Sequence, residues 1–183
     1  MDNISIIIRN KNENEYIGFA IQSCLDNFKK PEIIIVDNNS IDDSLQVVNL
    51  FKDRTNIKVV TINDYTPGKS INLGVKHATN ERILVLSAHA QITTLNVEML
   101  DQWFRQGHVA VFGNQTPIYK GKRITKRYIW SHFTNDIEKN LYSDIEDRHF
   151  LHNAFCFYKK DFLLENPFDE DLSGKEDRYW ALD

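Results

Sequence analysis

The chain has 183 residues, 42% of them hydrophobic and 26% charged, and its formal net charge at pH 7 is −4. A chain of this length and composition can bury a core of its own, which excludes a disordered segment and a scaffold that needs disulfides or metal to fold. The acidic balance disfavours a nucleic-acid partner held by a basic surface. No apolar run reaches about 18 residues and no signal-peptide pattern is present, so we expect neither a membrane span nor a targeting segment.

Apolar runs alternate with amphipathic stretches in the chain up to Phe112. The apolar runs predict buried strands at 5–8, 33–36, 57–62, 83–86 and 109–112. Apolar residues at helical spacing predict helices between them, at about 17–28, 40–51, 67–78 and 94–105. This alternation predicts an α/β fold, a Rossmann-like domain whose mostly parallel central sheet is flanked by helices on both faces.

The rest of the chain is less regular. Residues 113–150 are polar and aromatic without clear periodicity, which is typical of a long active-site segment or of a flexible excursion. A strand is predicted at 153–158, followed by a short helix from Lys160. The sequence ends in what looks like the first turns of a helix, with no stop signal. We expect one domain over 1–183 and suspect that a C-terminal portion is missing.

Two features of the composition carry smaller predictions. Cys24 and Cys156 lie in apolar contexts without metal-type spacing, so we expect reduced thiols in the core of a cytosolic protein. The stretch 120–127 is locally basic, and such a run is typical of a solvated loop more often than of a polyanion or membrane-surface site.

Two predicted strands end in polar residues, at the sheet edge where α/β folds bind ligands. A carboxylate at Asp37 can accept hydrogen bonds from ribose hydroxyls or from the N–H groups of a base. The same sequence, Asp-Asn-Asn-Ser at 37–40, is also typical of a turn and helix cap, and both interpretations stay open. Ser87 and His89 end the fourth strand, so they too lie where chemistry is expected.

Two further segments are candidate sites near helix N-termini. Lys69, just after a Pro-Gly pair, can bind a phosphate, although the same residues are typical of a turn with an exposed lysine. No GxGxxG or Walker motif supports a dinucleotide or P-loop site. Glu176 and Asp177 can supply a general base, with Trp180 as part of a platform for a sugar ring, although acids also favour the start of any helix.

The six histidines form no metal-binding pattern, because none is arranged as HxH or HxxxH. His149 and His152 are three residues apart, but this spacing is weak without a third ligand. We expect most of the histidines to be structural or surface residues. His89 is the exception because of its position at a strand end.

Six segments carry motifs in a fixed order, at 5–13, 32–43, 67–74, 81–89, 168–172 and 176–180. Together they resemble the family 2 glycosyltransferases, which have the GT-A fold, over nearly the whole chain. The resemblance implies inverting transfer of a sugar from a nucleotide-activated donor, UDP-linked by base rate, to a hydroxyl of a glycan or glycolipid acceptor. It implies a role in capsule, O-antigen or other surface polysaccharide biosynthesis, in the cytoplasm and with peripheral association at the inner face of the membrane.

The resemblance also implies roles for single residues. Asp177 would be the general base that deprotonates the acceptor hydroxyl. The acceptor would be bound by Glu176, Asn153 and Trp180. The donor would be bound by Arg9, Asn10, Asp37, Lys69, Ser87 and His89. Arg9, Asn10 and Asp37 would frame the base and ribose, and Lys69 would lie near the diphosphate.

The sequence departs from this family at Ser87-Ala88-His89, where an Asp-x-Asp-type motif is usual. Hard divalent cations prefer oxygen ligands, so the loss of both acids should weaken Mg²⁺ binding. Imidazole can still bind Mn²⁺, which makes His89 a candidate metal ligand. Other interpretations stay open: a protonated His89 that offsets phosphate charge, a donor with a single phosphate, or a structural histidine or an inactive enzyme.

Two rival functions stay open beside glycosyl transfer. One is a catalytically silent nucleotide-sugar-binding module of a larger assembly enzyme. The other is a nucleotidyltransferase on a related α/β sheet, which is disfavoured because no glycine-rich pyrophosphate loop is present near the N-terminus.

Overall fold

The structure is a computed structural model that describes residues 3–124, 132–133 and 136–181. Its strands are β1 (Ile4–Asn10), β2 (Glu32–Asp37), β3 (Asn56–Thr61), β4 (Arg82–Ser87), β5 (Ala110–Phe112), β6 (Ile118–Tyr119), β7 (Lys122–Arg123), β8 (Tyr142–Ser143), β9 (Arg148–His149) and β10 (Phe155–Lys159). Its helices are α1 (Ile17–Asn27), α2 (Ser44–Asn49), α3 (Pro67–His77), α4 (Val97–Arg105), α5 (Lys160–Glu165) and α6 (Glu176–Trp180).

The central sheet has six strands in the order β3-β2-β1-β4-β10-β5. Strands β1 to β4 pair in parallel, which confirms the predicted α/β fold with a mostly parallel sheet. Strand β10 pairs antiparallel with β4 and with β5. The chain leaves β5 and enters β10 at the same edge of the sheet without a crossover helix, so the two strands run in opposite directions.

Helices cover both faces of the sheet, as predicted. The side chains of β1 alternate between the faces. Ile6 and Ile8 pack with Ile17 and Ile21 of α1, whereas Ile7 packs on the other face with a second group of buried residues from α3 and α5. The core therefore lies in two layers, one on each side of β1.

Helix α3 approaches the sheet closely at a glycine. A Cβ added to Gly74 would lie 2.5 Å from Cγ2 of Ile7, closer than real Cβ atoms come to a neighbour. The absence of a side chain at this position therefore lets α3 pack against β1, and the packing fixes where α3 begins at the sheet edge.

Several element boundaries differ from the predicted ones, and helix α2 begins at Ser44 rather than at 40. Helix α4 begins at Val97 rather than at 94, because Oδ1 of Asn96 accepts a hydrogen bond from the backbone N–H of Met99 at 2.9 Å and caps the helix there. Strand β10 begins at Phe155 rather than at 153, which leaves Asn153 and Ala154 outside the strand.

The described part of 113–150 contains two short hairpins where no periodic structure was predicted. Strand β6 pairs with β7, and β8 pairs with β9. The β6–β7 turn has positive φ at both central residues, 48° at Lys120 and 73° at Gly121, as a tight hairpin turn requires. The residues at 125–131 and 134–135, including the end of the predicted basic run, lie outside the described residues.

Cys24 and Cys156 are free and buried, as predicted, and burial raises the pKa of both thiols. Among the described residues, no helix has the length and apolar character that crossing a bilayer requires.

Candidate active site

A cleft of about 420 Å³ lies beside the carboxyl ends of the parallel strands. It is lined by Arg9, Pro67, His152, Lys175, Glu176, Asp177 and Arg178. Arg9 comes from the end of β1, Pro67 begins α3, and three of the lining residues come from the start of α6, with Lys175 directly before them. The cleft therefore joins segments from both ends of the chain, at the sheet edge where the sequence predicts chemistry.

Asp177 is a buried acid of this cleft, 8% exposed. Its Oδ2 accepts a hydrogen bond from the backbone N–H of Asn153 and its Oδ1 accepts one from the N–H of Arg178, both at 2.9 Å. Burial, followed by the charge of Glu176, raises the pKa of Asp177 from 3.8 to about 6. A carboxylate with this pKa can take a proton from a hydroxyl at neutral pH while staying mostly ionised beforehand.

Glu176 connects the cleft to β1 and to the residues just before β10. Its Oε1 lies 3.1 Å from Nη1 of Arg9 and 3.3 Å from Nδ2 of Asn153. Asn153 is 1% exposed, and its Oδ1 accepts a hydrogen bond from the hydroxyl of Tyr158 at 2.5 Å. Asn153 therefore contacts both acids and holds them in place, rather than lying open to a ligand.

The cleft carries three cationic side chains against two acids. Arg178 is 4% exposed, and its Nη1 lies 2.8 Å from Oε1 of Glu146 in the segment between β8 and β9. Lys175 is exposed and precedes α6 with a φ of +62°, in the left-handed region. Arg9 and Arg178 are each paired with a carboxylate, so Lys175 is the cation of this lining for which the structure gives no ion pair to a described residue.

Asp37 and Asn10 form a buried pair at the ends of β2 and β1, each 2% exposed. Oδ1 of Asp37 accepts hydrogen bonds from Nδ2 of Asn10 and from Oγ of Ser40, both at 2.7 Å, and its Oδ2 accepts one from the N–H of Ser40 at 3.0 Å. These contacts match the predicted turn at 37–40. Oδ1 of Asn10 is buried without a hydrogen-bond partner among the described residues.

Ser87 and His89 lie at the end of β4, but outside the lining of the cleft. Nδ1 of His89 lies 3.1 Å from Oε1 of Glu13, and the His89 side chain is 63% exposed. No group of three or more His, Cys, Asp and Glu side chains placed to hold a metal ion occurs in the described part of the chain. An imidazole paired with one carboxylate does not fit Mg²⁺, which takes a shell of oxygen ligands.

Two other predicted site residues lie away from the cleft. Lys69 pairs with Asp64 in a smaller pocket of about 230 Å³. Trp180 packs against Tyr158 and Phe168, with ring centres 5.4 Å apart in each case, and its Nε1 donates a hydrogen bond to the carbonyl of Asn166 at 2.7 Å. The indole packs its apolar face on these rings and its N–H already has a hydrogen-bond partner. Trp180 is not part of the lining of the cleft.

The cleft also contains residues that the sequence does not single out. His152 is predicted as a structural or surface histidine, yet it lines the cleft beside Asp177. Arg178 lies in the motif segment 176–180, but the sequence predicts no role for it. The sequence signal for His152 is its position directly before Asn153, and a chain position alone does not say which way a side chain faces.

The chain is similar to known proteins over most of its length. The sequence model of the family described as "Glycosyl transferase family 2" matches residues 5–165. A Campylobacter jejuni protein, described as a GalNAc(5)-diNAcBac-PP-undecaprenol beta-1,3-glucosyltransferase, is 30% identical over 185 residues, which cover 99% of this chain and 59% of that protein. The Staphylococcus aureus poly(ribitol-phosphate) beta-N-acetylglucosaminyltransferase TarS is 31% identical over 93 residues, which cover 48% of this chain and 16% of TarS.

Solved structures of similar proteins share the fold. The structure of S. aureus TarS 1–349 in complex with UDP has a TM-score of 0.76 at 23% identity and covers 99% of this chain and 54% of that one. The mannosyltransferase PcManGT from Pyrobaculum calidifontis, solved with GDP-Man and Mn²⁺, has a TM-score of 0.71 at 16% identity and covers 97% and 50%. The chain thus spans about half to three fifths of the proteins it matches along its whole length.

Proposed function

Because the chain belongs to glycosyltransferase family 2, we propose that it transfers a sugar from a nucleotide-activated donor to a hydroxyl of a glycan acceptor, with inversion at the anomeric carbon. The observation that carries this proposal is the cleft acid Asp177. It is buried, its pKa is raised to about 6, and backbone N–H groups fix both of its oxygens. These are the properties expected of a general base that must point in one direction and work near neutral pH.

In the proposed reaction, Asp177 accepts the proton of the acceptor hydroxyl as the hydroxyl oxygen attacks the anomeric carbon. The bond from that carbon to the donor phosphate breaks on the opposite face, and the nucleotide leaves with the bonding electrons. Glu176, paired with Arg9, helps to bind the acceptor. Arg9, Lys175 and Arg178 offset the negative charge that builds up on the leaving phosphate.

We propose that the base and ribose of the donor bind at the Asn10–Asp37 pair. The unpartnered Oδ1 of Asn10 supports this, because a buried acceptor without a donor is costly until a ligand N–H reaches it. A UDP-linked donor is the first choice, since TarS has been solved with UDP and with UDP-GlcNAc. Lys69 reaches the diphosphate in this proposal only if its ammonium leaves Asp64.

For the acceptor, we propose a glycan carried on a lipid, made for a surface polysaccharide. The support is the C. jejuni relative, whose description names an acceptor linked to undecaprenol through a pyrophosphate. A lipid-linked acceptor would bring this domain, 1–183, to the inner face of the membrane as a peripheral protein.

Metal dependence is a separate part of the proposal. The donor set at His89 and Glu13 does not fit Mg²⁺, so we assign the phosphate charge to the cationic side chains of the cleft. PcManGT has been solved with Mn²⁺, which makes Mn²⁺ the cation to test. We expect the transfer rate to change less than twofold between excess chelator and added Mn²⁺, and a chelator-sensitive rate that Mn²⁺ restores would contradict this assignment.

The test of the function is Asp177→Asn, with Asp53→Asn as a matched control. Asp53 is exposed and lies in the turn before β3, at the opposite edge of the sheet. Release of UDP is measured from UDP-glucose, UDP-galactose and their N-acetylamino forms, with p-nitrophenyl glycosides of the same sugars as acceptors. Loss of a general base should lower kcat by about 100-fold or more in Asp177→Asn, with donor Kd nearly unchanged.

Three outcomes would contradict parts of the proposal. Wild-type turnover in Asp177→Asn would show that Asp177 is not the base. An NMR spectrum of the product with the anomeric configuration of the donor would exclude inversion. The third outcome concerns the longest form of the protein that can be made. If it binds the donor but neither transfers the sugar nor slowly hydrolyses the donor, the silent binding module is favoured.

A further inference from the structure

His152 is held in the cleft by contacts that fix the position of its proton. Its Nδ1 accepts a hydrogen bond from the backbone N–H of Ala154 at 3.2 Å. A backbone N–H can only donate, so Nδ1 must be the unprotonated nitrogen of the ring. Nε2 of Gln115 lies 2.8 Å from the same Nδ1, which is consistent with a second donor to this nitrogen. The proton of a neutral His152 is therefore on Nε2.

The surroundings of the ring also keep it uncharged. Burial, and after it the positive charges of Arg178 and Arg9, lower the pKa of His152 from 6.5 to about 4, and the charge of Glu176 opposes them only in part. Phe133 and Phe150 pack against the ring, with centres 6.1 and 6.3 Å away. The ring therefore lines the cleft as a neutral imidazole that packs against two aromatic side chains.

Nε2 of His152 makes no hydrogen bond to any residue that the structure describes, although the side chain lines the cleft. The next residue along the chain, Asn153, donates its backbone N–H to Asp177. Asn153 thus connects the backbone beside His152 to the carboxylate of Asp177. The cleft is lined by both an acid, Asp177, and a neutral N–H donor, His152.

We propose that His152 is an acceptor-binding residue, whose Nε2–H donates a hydrogen bond to an oxygen of the acceptor sugar next to the hydroxyl that reacts. This inference rests on the proposed glycosyl transfer and adds a residue that recognises the acceptor. A neutral N–H donor suits an uncharged sugar oxygen, whereas Arg9, Lys175 and Arg178 suit phosphate. The reacting hydroxyl is left to Asp177, and its neighbour on the ring is held by His152.

The first experiment asks about the proton and needs no transfer activity. Long-range ¹H–¹⁵N NMR of the wild-type protein, with signals assigned through His152→Phe, should show a neutral ring protonated on Nε2 at neutral pH. His149 is the internal contrast, because its Nδ1 lies 3.2 Å from the carbonyl oxygen of Asn140 and a carbonyl can only accept. A neutral His149 should therefore carry its proton on Nδ1. A His152 ring that is cationic or protonated on Nδ1 would overturn the proposal.

The second experiment asks which ligand accepts a hydrogen bond from the Nε2–H group of His152. In the same spectra, one of the p-nitrophenyl glycosides of glucose, galactose, N-acetylglucosamine or N-acetylgalactosamine should shift the Nε2 signal of His152 and leave that of His149 in place. No shift with any of the four would also overturn the inference. Because this readout is binding, a chain that binds a glycoside but transfers nothing would refute the proposed function and keep the inference.

The third experiment separates acceptor binding from a structural role. His152→Phe keeps an aromatic ring and removes the donor, whereas His152→Gln keeps an N–H near the position of Nε2. For the glycoside that is a substrate, His152→Phe should raise the acceptor KM roughly two- to tenfold with little change in kcat, which is the effect of losing one neutral hydrogen bond. His152→Gln should restore most of the loss, and His149→Phe should behave as wild type. Equal losses in both His152 variants, or a loss in kcat alone, would refute the role.

Discussion

Acidification should switch off transfer through one group, the carboxyl of Asp177. Its pKa is about 6 rather than 3.8, because burial and the charge of Glu176 disfavour the ionised form. Only the ionised form can accept the proton of the acceptor hydroxyl. Activity should therefore rise with pH through a limb centred near pH 6.

The size of this effect follows from the two pKa values. With a pKa of about 6, roughly nine tenths of the carboxyls are ionised at about pH 7 and roughly one tenth at about pH 5, so kcat/KM should fall about tenfold between them. With the ordinary pKa of 3.8, more than nine tenths would be ionised at both pH values and the rate would hardly change. The two cases are therefore easy to distinguish.

The assay is the pH dependence of kcat/KM for UDP release, with far-UV circular dichroism at each pH to show that the protein stays folded. Glu176→Gln should move the limb to lower pH, because it removes the second cause of the raised pKa and keeps an oxygen for Arg9 and Asn153. His89→Gln is the control, because His89 lies outside the lining of the cleft and the limb should stay where it is in the wild type. A profile that falls less than twofold between about pH 7 and pH 5 would refute the reasoning.

Two predictions concern stability. The pKa of His152 is about 4 in the folded chain, against an ordinary value of 6.5. Its contribution to the free energy of unfolding is therefore fully present above pH 6.5 and is lost as the pH falls through 4. In urea unfolding, the wild type should lose about 2 kcal/mol more than His152→Phe between about pH 7 and pH 4.5, and parallel losses would contradict the assigned pKa. Gly68→Ala should destabilise the fold by about 1–3 kcal/mol, because the added Cβ meets the backbone carbonyl of Asp169. Gly174→Ala, with no atom within 4 Å of its Cβ, should stay within about 0.5 kcal/mol of wild type, and equal effects of the two changes would refute the packing argument.

The strands that carry the site could be predicted from the sequence, because each is recognisable from its own residues. The run Ile33 to Val36 is apolar at every position, which is what a strand buried on both faces requires. The alternation with helical patterns then implies parallel pairing and places the ends of β1 and β2 at one edge. Glu176 and Asp177, singled out from the sequence, do line the cleft.

Other parts of the site could not be predicted, because they depend on contacts between distant segments. The ion pair of Arg9 and Glu176 joins residues 167 positions apart. The hydrogen bond that orients Asp177 comes from a backbone N–H 24 positions away. No local pattern records which polar groups will meet across such distances.

The sequence by itself determined the α/β architecture, the family and the pair of acids, since hydrophobic periodicity and short motifs are local properties of a chain. Only the tertiary structure decided that Trp180 packs, partly buried, against aromatic rings, that Lys69 pairs with Asp64, and that His152 lines the cleft. The physical reason is that the direction and pKa of a side chain are set by the atoms packed around it, and those atoms come from elsewhere in the chain.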